Sequence, residues 1–229
     1  MKLETLTHPI VIALDGTSAS GKSTTARLVA KALNLVYVDT GAMYRTLAWY
    51  CLKQGVDVHQ VKAVNAVCRK WKTDLVCVDG EIRQVRLVVD SYFPEKEIRT
   101  AETSAAVSHV AVAPKVRDWM KRKQRECIQF GSLVMEGRDI GTNVFPETDF
   151  KFYLDAHLEE RSRRRTADGV QENLAARDQR DSQRAAAPLM IALGATVINN
   201  SHMTPDQTCA VIVEEARRRL AARESGKSK

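Results

Sequence analysis

The segment GTSASGKS, from Gly16 to Ser23, constrains this chain more than any other part of its sequence. It matches the pattern GxxxxGK[ST] in full and lies between a short apolar run, IVIAL at 10–14, and a helical pattern from about Lys22 to Leu33. Glycines in such a loop let consecutive backbone N–H groups converge on phosphate oxygens, and the helix that follows adds positive potential. The segment therefore predicts a strand, a phosphate-binding loop and a helix in succession.

The loop predicts a nucleoside triphosphate as its ligand. We expect Lys22 to reach the β and γ phosphates, and Ser23 to place its hydroxyl on the Mg²⁺ that nucleotide phosphates bring with them. Asp15, just before the loop, either positions water around that magnesium or caps the end of the strand. The residues predicted to bind the nucleotide are Gly16, Thr17, Ser18, Ala19, Ser20, Gly21, Lys22, Ser23 and Thr24.

Four more short apolar runs follow and alternate with helical patterns: LVYVD at 35–39, LVME at 133–136, FKFYL at 150–154 and TVIN at 196–199. Alternation of strand and helix is typical of parallel strands joined by crossover helices. We therefore predict one α/β domain over residues 1–229, with a five-stranded parallel sheet and helices on both faces.

The stretch from about 56 to 113 breaks this rhythm, because LVCVDGEIRQVRLVV contains two alternating β segments about a DG turn signal. We interpret it as a small inserted α+β lobe. A long helix is predicted from roughly Pro114 to Phe130, and a final helix from about Pro205 to Arg223. The terminal segment ESGKSK at 224–229 is expected to be frayed.

Charge and cysteine content narrow the classes of ligand. The net charge is +7, and 21 of the 35 basic residues are arginines, whose planar fork matches phosphate and carboxylate geometry. The five cysteines and five histidines are scattered, which argues against disulfides and against a metal held by side chains alone. No apolar run approaches the roughly 18 residues needed to cross a bilayer, so we expect a cytoplasmic protein without a membrane partner.

Arginines recur in four polar segments: DTGAMYR with Arg45, GRDIG with Arg138, EERSRRR at 159–165, and ARDQRDSQR, whose arginines are at 177, 180 and 184. Spacings of three and four bring the last set onto one helical face. A solvated basic face is one interpretation. The other is a set of phosphate clamps, since phosphoryl transfer spreads negative charge over several oxygens in its transition state.

Six segments in order resemble those of the bacterial cytidylate (CMP) kinases, in the nucleoside monophosphate kinase group: DGTSASGKSTTARLVAKAL, YVDTGAMYR, APKVR, EGRDIGTNVFPETDFKFYLDA, EERSRRR and RDQRDSQRAAAPL. The resemblance implies a P-loop kinase fold and transfer of the γ-phosphoryl group of ATP to CMP and dCMP with Mg²⁺. It also equates the lobe at about 56–113 with the enlarged monophosphate-binding domain of that family. Only eleven residues separate Arg165 from Arg177, so the lid at about 158–176 is expected to be short.

The resemblance also implies roles for single residues. Lys22, Arg138 and Arg184 would be catalytic, and Arg161 would belong to the lid that closes over ATP. The acceptor would be bound at its phosphate by Thr40, Arg45 and Arg138, at the cytosine by Ser108, Arg117 and Asp139, and at the sugar by Arg177 and Asp181, with Arg184 bridging towards the phosphates.

Asp139 is the residue on which base choice would depend. Cytosine presents an exocyclic amino donor that suits a carboxylate, whereas uracil presents an oxygen at the same position. A buried carboxylate would therefore reject uracil by leaving polar groups unpaired. A structural ion pair between Arg138 and Asp139, or a loop cap, is the alternative.

Two other functions remain open on the sequence. The same fold could phosphorylate UMP or AMP, and the basic charge could belong to a nucleotide- or nucleic-acid-binding protein without transfer activity. For the kinase we expect CMP and dCMP as the partners, no nucleic acid, and a monomer.

Overall fold

All five apolar runs predicted as strands pair in one sheet in the computed structural model, which describes residues 8–167, 173–184 and 186–226. In these residues the sheet has seven strands, in the order β3-β4-β2-β5-β1-β6-β7. Their bounds are β1 (Val11–Gly16), β2 (Val36–Asp39), β3 (Thr73–Val78), β4 (Gln84–Val89), β5 (Leu133–Glu136), β6 (Phe150–Asp155) and β7 (Thr196–Asn199). The predicted α/β fold is confirmed.

The predicted count of five strands is wrong, because the hairpin β3–β4 extends the same sheet. The two β segments about the DG turn pair antiparallel over six positions, and β4 then pairs parallel with β2 at Tyr37↔Gln84 and Val38↔Val85. The apolar face of β4 carries Val85, Leu87 and Val89, all buried in the same core as residues of β2. Covering that face draws the hairpin onto the sheet edge, a long-range pairing that the local alternation does not reveal.

Eight helices in the described residues cover both faces of the sheet, as predicted. They are α1 (Lys22–Leu33), α2 (Thr40–Lys53), α3 (Val61–Lys70), α4 (Ala101–Val110), α5 (Pro114–Glu126), α6 (Leu158–Ala167), α7 (Leu174–Ser182) and α8 (Pro205–Gly226). The long helix predicted to Phe130 ends earlier, at Glu126, and continues as a 3-10 turn, Cys127–Phe130. The last helix includes 224–226, and 227–229 of the predicted frayed tail lie outside the described residues.

Two hydrophobic cores explain why the central strands are apolar throughout. Val11 and Ala13 of β1 face a core shared with α2, α5 and the hairpin, whereas Ile12 and Leu14 face a core shared with α1 and α8. A parallel strand covered on both faces has no solvent-facing positions and therefore shows no polar alternation. No helix in the described parts of the chain has the length and apolar content for a membrane span.

Strand register brings three acidic residues together at the carboxyl ends of three neighbouring strands. Leu14 of β1 pairs with Glu136 of β5, and Asp39 of β2 pairs with Glu136 on the other side. Asp15 follows Leu14 near the carboxyl end of β1. Open parallel sheets bind ligands in the crevice outside the carboxyl ends of their strands, so the candidate site lies here.

Candidate active site

The phosphate loop connects the end of β1 to the start of α1, and glycine is required at its first position. A Cβ built on Gly16 would lie 2.0 Å from the carbonyl oxygen of Leu154, which pairs with it across β1 and β6. Gly21 caps α1 with a φ of 84°, and Ala19 has a φ of 58°, unusual for a residue with a side chain. These dihedrals curl the loop around the N-terminus of α1, the geometry that exposes N–H groups to an anion.

Lys22 occupies the interior of this loop. Its side chain is buried and its ammonium donates to the Thr17 carbonyl and, at 3.3 Å, to the Ser20 hydroxyl. Burial lowers the pKa of Lys22 well below its ordinary value, and the nearby cations Arg138 and Arg177 lower it further. A bound nucleotide phosphate would oppose these effects by favouring the charged form of Lys22.

Glu136 accepts a hydrogen bond from Ser23, the residue predicted to contact magnesium. This role of Glu136 was not predicted from the sequence. Its carboxylate accepts from the Ser23 hydroxyl at 2.9 Å and from the Tyr37 hydroxyl, and the Thr40 hydroxyl donates to its backbone carbonyl at 2.7 Å. Burial and the nearby Asp39 carboxylate raise its pKa. The available signal was its place at the end of a strand, as the first residue of EGRDIGT.

Asp15, for which two roles were left open, also holds the backbone of a turn far away in the chain. Its two oxygens accept from the backbone N–H groups of Ile140 at 2.8 Å and Gly141 at 2.7 Å. These groups begin a π-helical turn, Ile140–Val144, directly after Asp139. Burial raises the pKa of Asp15 to about 6. Asp15 thus fixes the backbone that presents Asp139.

Arg138 and Asp139 diverge and bind different partners. Arg138 Nε donates to Asp181 at 3.0 Å, while Asp139 Oδ2 accepts from Arg117 Nη2 at 2.7 Å. Asn143 Nδ2 donates to the same Asp139 oxygen at 2.9 Å, a contact that the sequence analysis also missed. Two donors on one oxygen fix the rotation of the Asp139 carboxylate.

Arg117 and Arg45, predicted to bind the acceptor nucleotide, each have a buried Nε–H without a hydrogen-bond partner among the described residues. Arg117 is buried, with Nη1 donating to the Ala111 carbonyl at 3.3 Å, and its Nε is buried without a partner among the described residues. Arg45 Nη2 donates to Asp39 at 3.3 Å, and its Nε is likewise unpartnered in the described structure. Buried N–H groups without acceptors are costly, and a bound anion or base is a natural partner for them.

Helix α7 brings its polar residues towards the same crevice. Asp181 is buried and accepts from Arg138 and from Arg184, the latter just after the helix. Burial lowers the pKa of Arg184. Arg177, one turn earlier, lies close enough to Lys22 to lower its pKa. Ser108, predicted to read the base, lies in the last turn of α4, and its hydroxyl donates to the Ala105 carbonyl at 3.2 Å within that helix.

Arg161 lies inside the protein against the phosphate loop. Its Nε donates to the Ala156 carbonyl at 2.9 Å, and its Nη1 donates to the Ser18 carbonyl at 3.1 Å and to Asp178. Arg164 donates to Asn200, whose amide in turn donates to the Ser20 carbonyl at 2.8 Å. Arg163 is exposed and pairs with Glu160. The described part of the predicted lid therefore contacts the outside of the loop through Arg161 and Arg164, and 168–172 of that lid lie outside the described residues.

The donor set fits magnesium that arrives with a nucleotide. Within the described ranges, no group of three or more His, Cys, Asp or Glu side chains could hold a metal ion. Ser23 instead offers a hard oxygen at the start of α1, beside the Glu136 carboxylate. Mg²⁺ commonly binds through one or two protein oxygens together with water and phosphate.

Comparison with known proteins gives a consistent result. The family model for cytidylate kinase matches residues 12–218. A cytidylate kinase of Clostridioides difficile is 38% identical over 217 residues, covering 90% of this chain and 97% of that protein. One of Anoxybacillus flavithermus is 40% identical over 210 residues, covering 86% of this chain and 92% of that protein.

One relative is longer than this chain, and its name includes a second activity. The bifunctional pantoate ligase/cytidylate kinase of Acaryochloris marina is 40% identical over 209 residues. The match covers 86% of this chain, which spans 40% of the length of that relative.

Proposed function

The chain belongs to the cytidylate kinase family, and we propose that its site transfers the γ-phosphoryl group of ATP to CMP and dCMP, giving ADP and CDP or dCDP. The observation that carries the proposal is the buried carboxylate of Asp139, one oxygen of which is held by Arg117 and Asn143, so that its second oxygen would meet the base. The protein is thus an enzyme that moves phosphate between nucleotides. We further propose a monomeric, cytoplasmic enzyme of pyrimidine nucleotide metabolism.

The phosphate loop would bind the donor. Backbone N–H groups of residues 16–21 and the ammonium of Lys22 would surround the β and γ phosphates. Ser23 would hold Mg²⁺, which when bound neutralises charge on the phosphate oxygens. Glu136 accepts the Ser23 hydroxyl hydrogen, which supports this assignment because it leaves the hydroxyl lone pairs available to a cation.

Arginines at the other side of the crevice would bind the acceptor. Arg45, Arg138 and Arg184 would contact the CMP phosphate, and Arg177 and Asp181 would contact the sugar. The acceptor phosphate has a pKa near 6 and is mostly dianionic at neutral pH, so it needs no general base. One of its oxygens would attack the γ phosphorus as the bond between that phosphorus and the β–γ bridging oxygen breaks, and ADP would leave.

Base recognition would use Asp139, Arg117 and Ser108. The second Asp139 oxygen would accept from the exocyclic amino group of cytosine, and Arg117 Nε, which has no partner among the described residues, would donate to a ring or carbonyl acceptor of the base. Adenine also presents an amino group, but attached to a larger ring system. The size of the base pocket would therefore separate CMP from AMP, and Asp139 would separate CMP from UMP.

A single assay tests the proposal: ADP release with ATP, Mg²⁺ and each of CMP, dCMP, UMP and AMP in turn. We expect CMP and dCMP to have the highest kcat/KM. Faster turnover of UMP or AMP would favour a kinase for that nucleotide. No ADP with any acceptor, together with binding of RNA or DNA that weakens steeply with salt, would favour the nucleic-acid-binding alternative.

A further inference from the structure

We propose that Arg161 and Asp178 form a clamp on Ser18 that orients the phosphate loop and couples it to the acceptor-binding helix α7. Asp178 accepts from the Ser18 backbone N–H at 3.1 Å, and Arg161 donates to the Ser18 carbonyl at 3.1 Å. The two side chains also pair with each other. The proposal rests on the proposed function, with ATP at the loop and CMP at α7.

The clamp sets two successive peptide groups in opposite directions. The peptide bonds of the described residues are trans, so the C=O and N–H of each peptide point opposite ways. The Thr17 carbonyl points into the loop, towards Lys22, and the Ser18 N–H of the same peptide points out, towards Asp178. The next carbonyl, that of Ser18, points out towards Arg161, and the Ala19 N–H therefore points into the loop.

Ala19 shows that this arrangement is imposed by its surroundings. Its φ of 58° lies in the left-handed region, which a residue with a side chain adopts at a cost. Such a conformation persists only where neighbouring contacts determine it. The Ser18 carbonyl held by Arg161 is one such contact, and the result is an inward N–H available to a phosphate oxygen.

The clamp also joins the two substrates through one helix. Asp178 and Asp181 are three residues apart on α7 and so lie on the same face. Asp178 binds the phosphate loop, and Asp181 binds Arg138 and Arg184, the proposed acceptor contacts. A shift of α7 when CMP binds would thus move Asp178 and change the orientation of the Ser18 peptides.

Burial makes the pair sensitive to removal of one partner. The Arg161 and Asp178 side chains are 9% and 16% exposed. A buried charge without its partner is strongly unfavourable, so loss of the Asp178 charge should release Arg161 from the loop. Arg161 and Asp178 are positioning residues, since neither is proposed to touch the reacting atoms.

The test compares ATP binding with and without CMP in Asp178→Asn, which keeps the shape and an oxygen for the Ser18 N–H. Binding of a non-hydrolysable ATP analogue with Mg²⁺ is measured by calorimetry. In the unmodified protein we expect CMP to tighten the analogue about fivefold or more, and the reciprocal effect of the analogue on CMP to be equal. In Asp178→Asn we expect this factor to fall towards one while CMP alone binds within about threefold of normal.

Asp74→Asn is the matched control, because Asp74 is exposed on β3 and should leave the factor unchanged. Arg161→Lys, which retains a cation, should retain part of the coupling and serves if Asp178→Asn does not fold. An unmodified protein without coupling, or a coupling factor as large in Asp178→Asn as in Asp74→Asn, overturns the clamp. Absence of CMP-dependent ADP release from the unmodified protein would instead overturn the proposed function.

Discussion

Arg138 and Asp139 are neighbours in the chain, yet their side chains lie in different parts of the crevice. Arg138 binds Asp181 of α7, and Asp139 binds Arg117 of α5. Asp15 accepts from the backbone N–H groups of Ile140 and Gly141, directly after Asp139, and so holds this part of the backbone in place. Adjacent charges can therefore have separate tasks, one with the acceptor phosphate and one with the base.

Replacing Asp139 with asparagine should change which base is accepted. The side-chain oxygen of the asparagine can still accept from Arg117, and its amide group then faces the base as a donor. That donor suits the uracil oxygen and opposes the cytosine amino group. We expect the CMP-to-UMP ratio of kcat/KM to fall by about a hundredfold, the size of one or two charge-assisted hydrogen bonds. Steady-state assays with both nucleotides measure the ratio.

Two companion variants separate base reading from phosphate binding. Arg138→Ala should weaken CMP and UMP turnover similarly, because the phosphate is common to both. Asn143→Ala should lower the CMP-to-UMP ratio less than Asp139→Asn, since Arg117 still holds the Asp139 oxygen. Equal losses of CMP and UMP turnover in all three variants would contradict separate roles for Arg138 and Asp139.

Among the described glycines, Gly16, where β1 meets β6 and the phosphate loop begins, has the least room for a side chain. Gly16→Ala would place a Cβ 2.0 Å from the Leu154 carbonyl oxygen, on a backbone that cannot easily move. We expect a loss of stability of about 3 kcal/mol or more, comparable to the larger effects of overpacking. Urea unfolding followed by circular dichroism measures it.

Gly80→Ala is the control for that change. A Cβ at Gly80 meets only the Ile82 carbonyl, at 3.6 Å, which is ordinary contact. We expect a change within about 1 kcal/mol, as for most substitutions away from the core. Similar losses in both variants would mean that the contact with Leu154 is not the constraint.

Features that depend on residues close in the chain could be predicted from the sequence, whereas contacts between distant residues could not. The five apolar runs and the phosphate loop depend on neighbouring residues, and each was predicted in place. The pairing of β4 with β2, the hold of Asp15 on Ile140 and the contact of Ser18 with Asp178 join residues far apart in the chain. Arg161 was predicted from its family segment as part of a lid, and its burial depends on α7, which packs against α6.

Considered as one molecule, the protein concentrates its buried charge at the carboxyl edge of the sheet. Asp15, Lys22 and Glu136 are all at most 5% exposed and lie at that edge. Most charged residues of a protein remain on its surface because burial disfavours the ionised form. Strongly shifted groups in a crevice are typical of functional sites.

ATP binding should increase the protonation of Lys22. In the free protein burial and nearby arginines lower its pKa, whereas bound phosphates would favour its charged form. We expect ATP binding to take up protons at alkaline pH, above the pKa of the nucleotide phosphates, because Lys22 is less protonated in the free protein than in the bound one. Calorimetry in buffers of different ionisation enthalpy measures the uptake. Its absence in that range, or an equal uptake by Lys22→Met, would contradict the assignment.

Asp15 should make stability depend on pH in a direction opposite to that of a paired surface carboxylate. Its pKa is raised from 3.8 to about 6, so the folded protein binds more protons than the unfolded chain between these values. The contribution of Asp15 to the free energy of unfolding therefore decreases by roughly 3 kcal/mol as the pH rises from about 4 to about 6. Asp15→Asn lacks this titration, although it loses one backbone contact at every pH.

The useful quantity is thus the difference in unfolding free energy between the unmodified protein and Asp15→Asn, measured by urea unfolding at several pH values. We expect this difference to move in favour of the variant as the pH rises to about 7, because titrations elsewhere cancel between the two proteins. Asp74→Asn, at an exposed position, should show a flat difference over the same range. A flat difference for Asp15→Asn as well would mean that the folded protein accommodates the ionised carboxylate without cost, and that its two backbone hydrogen bonds offset its burial.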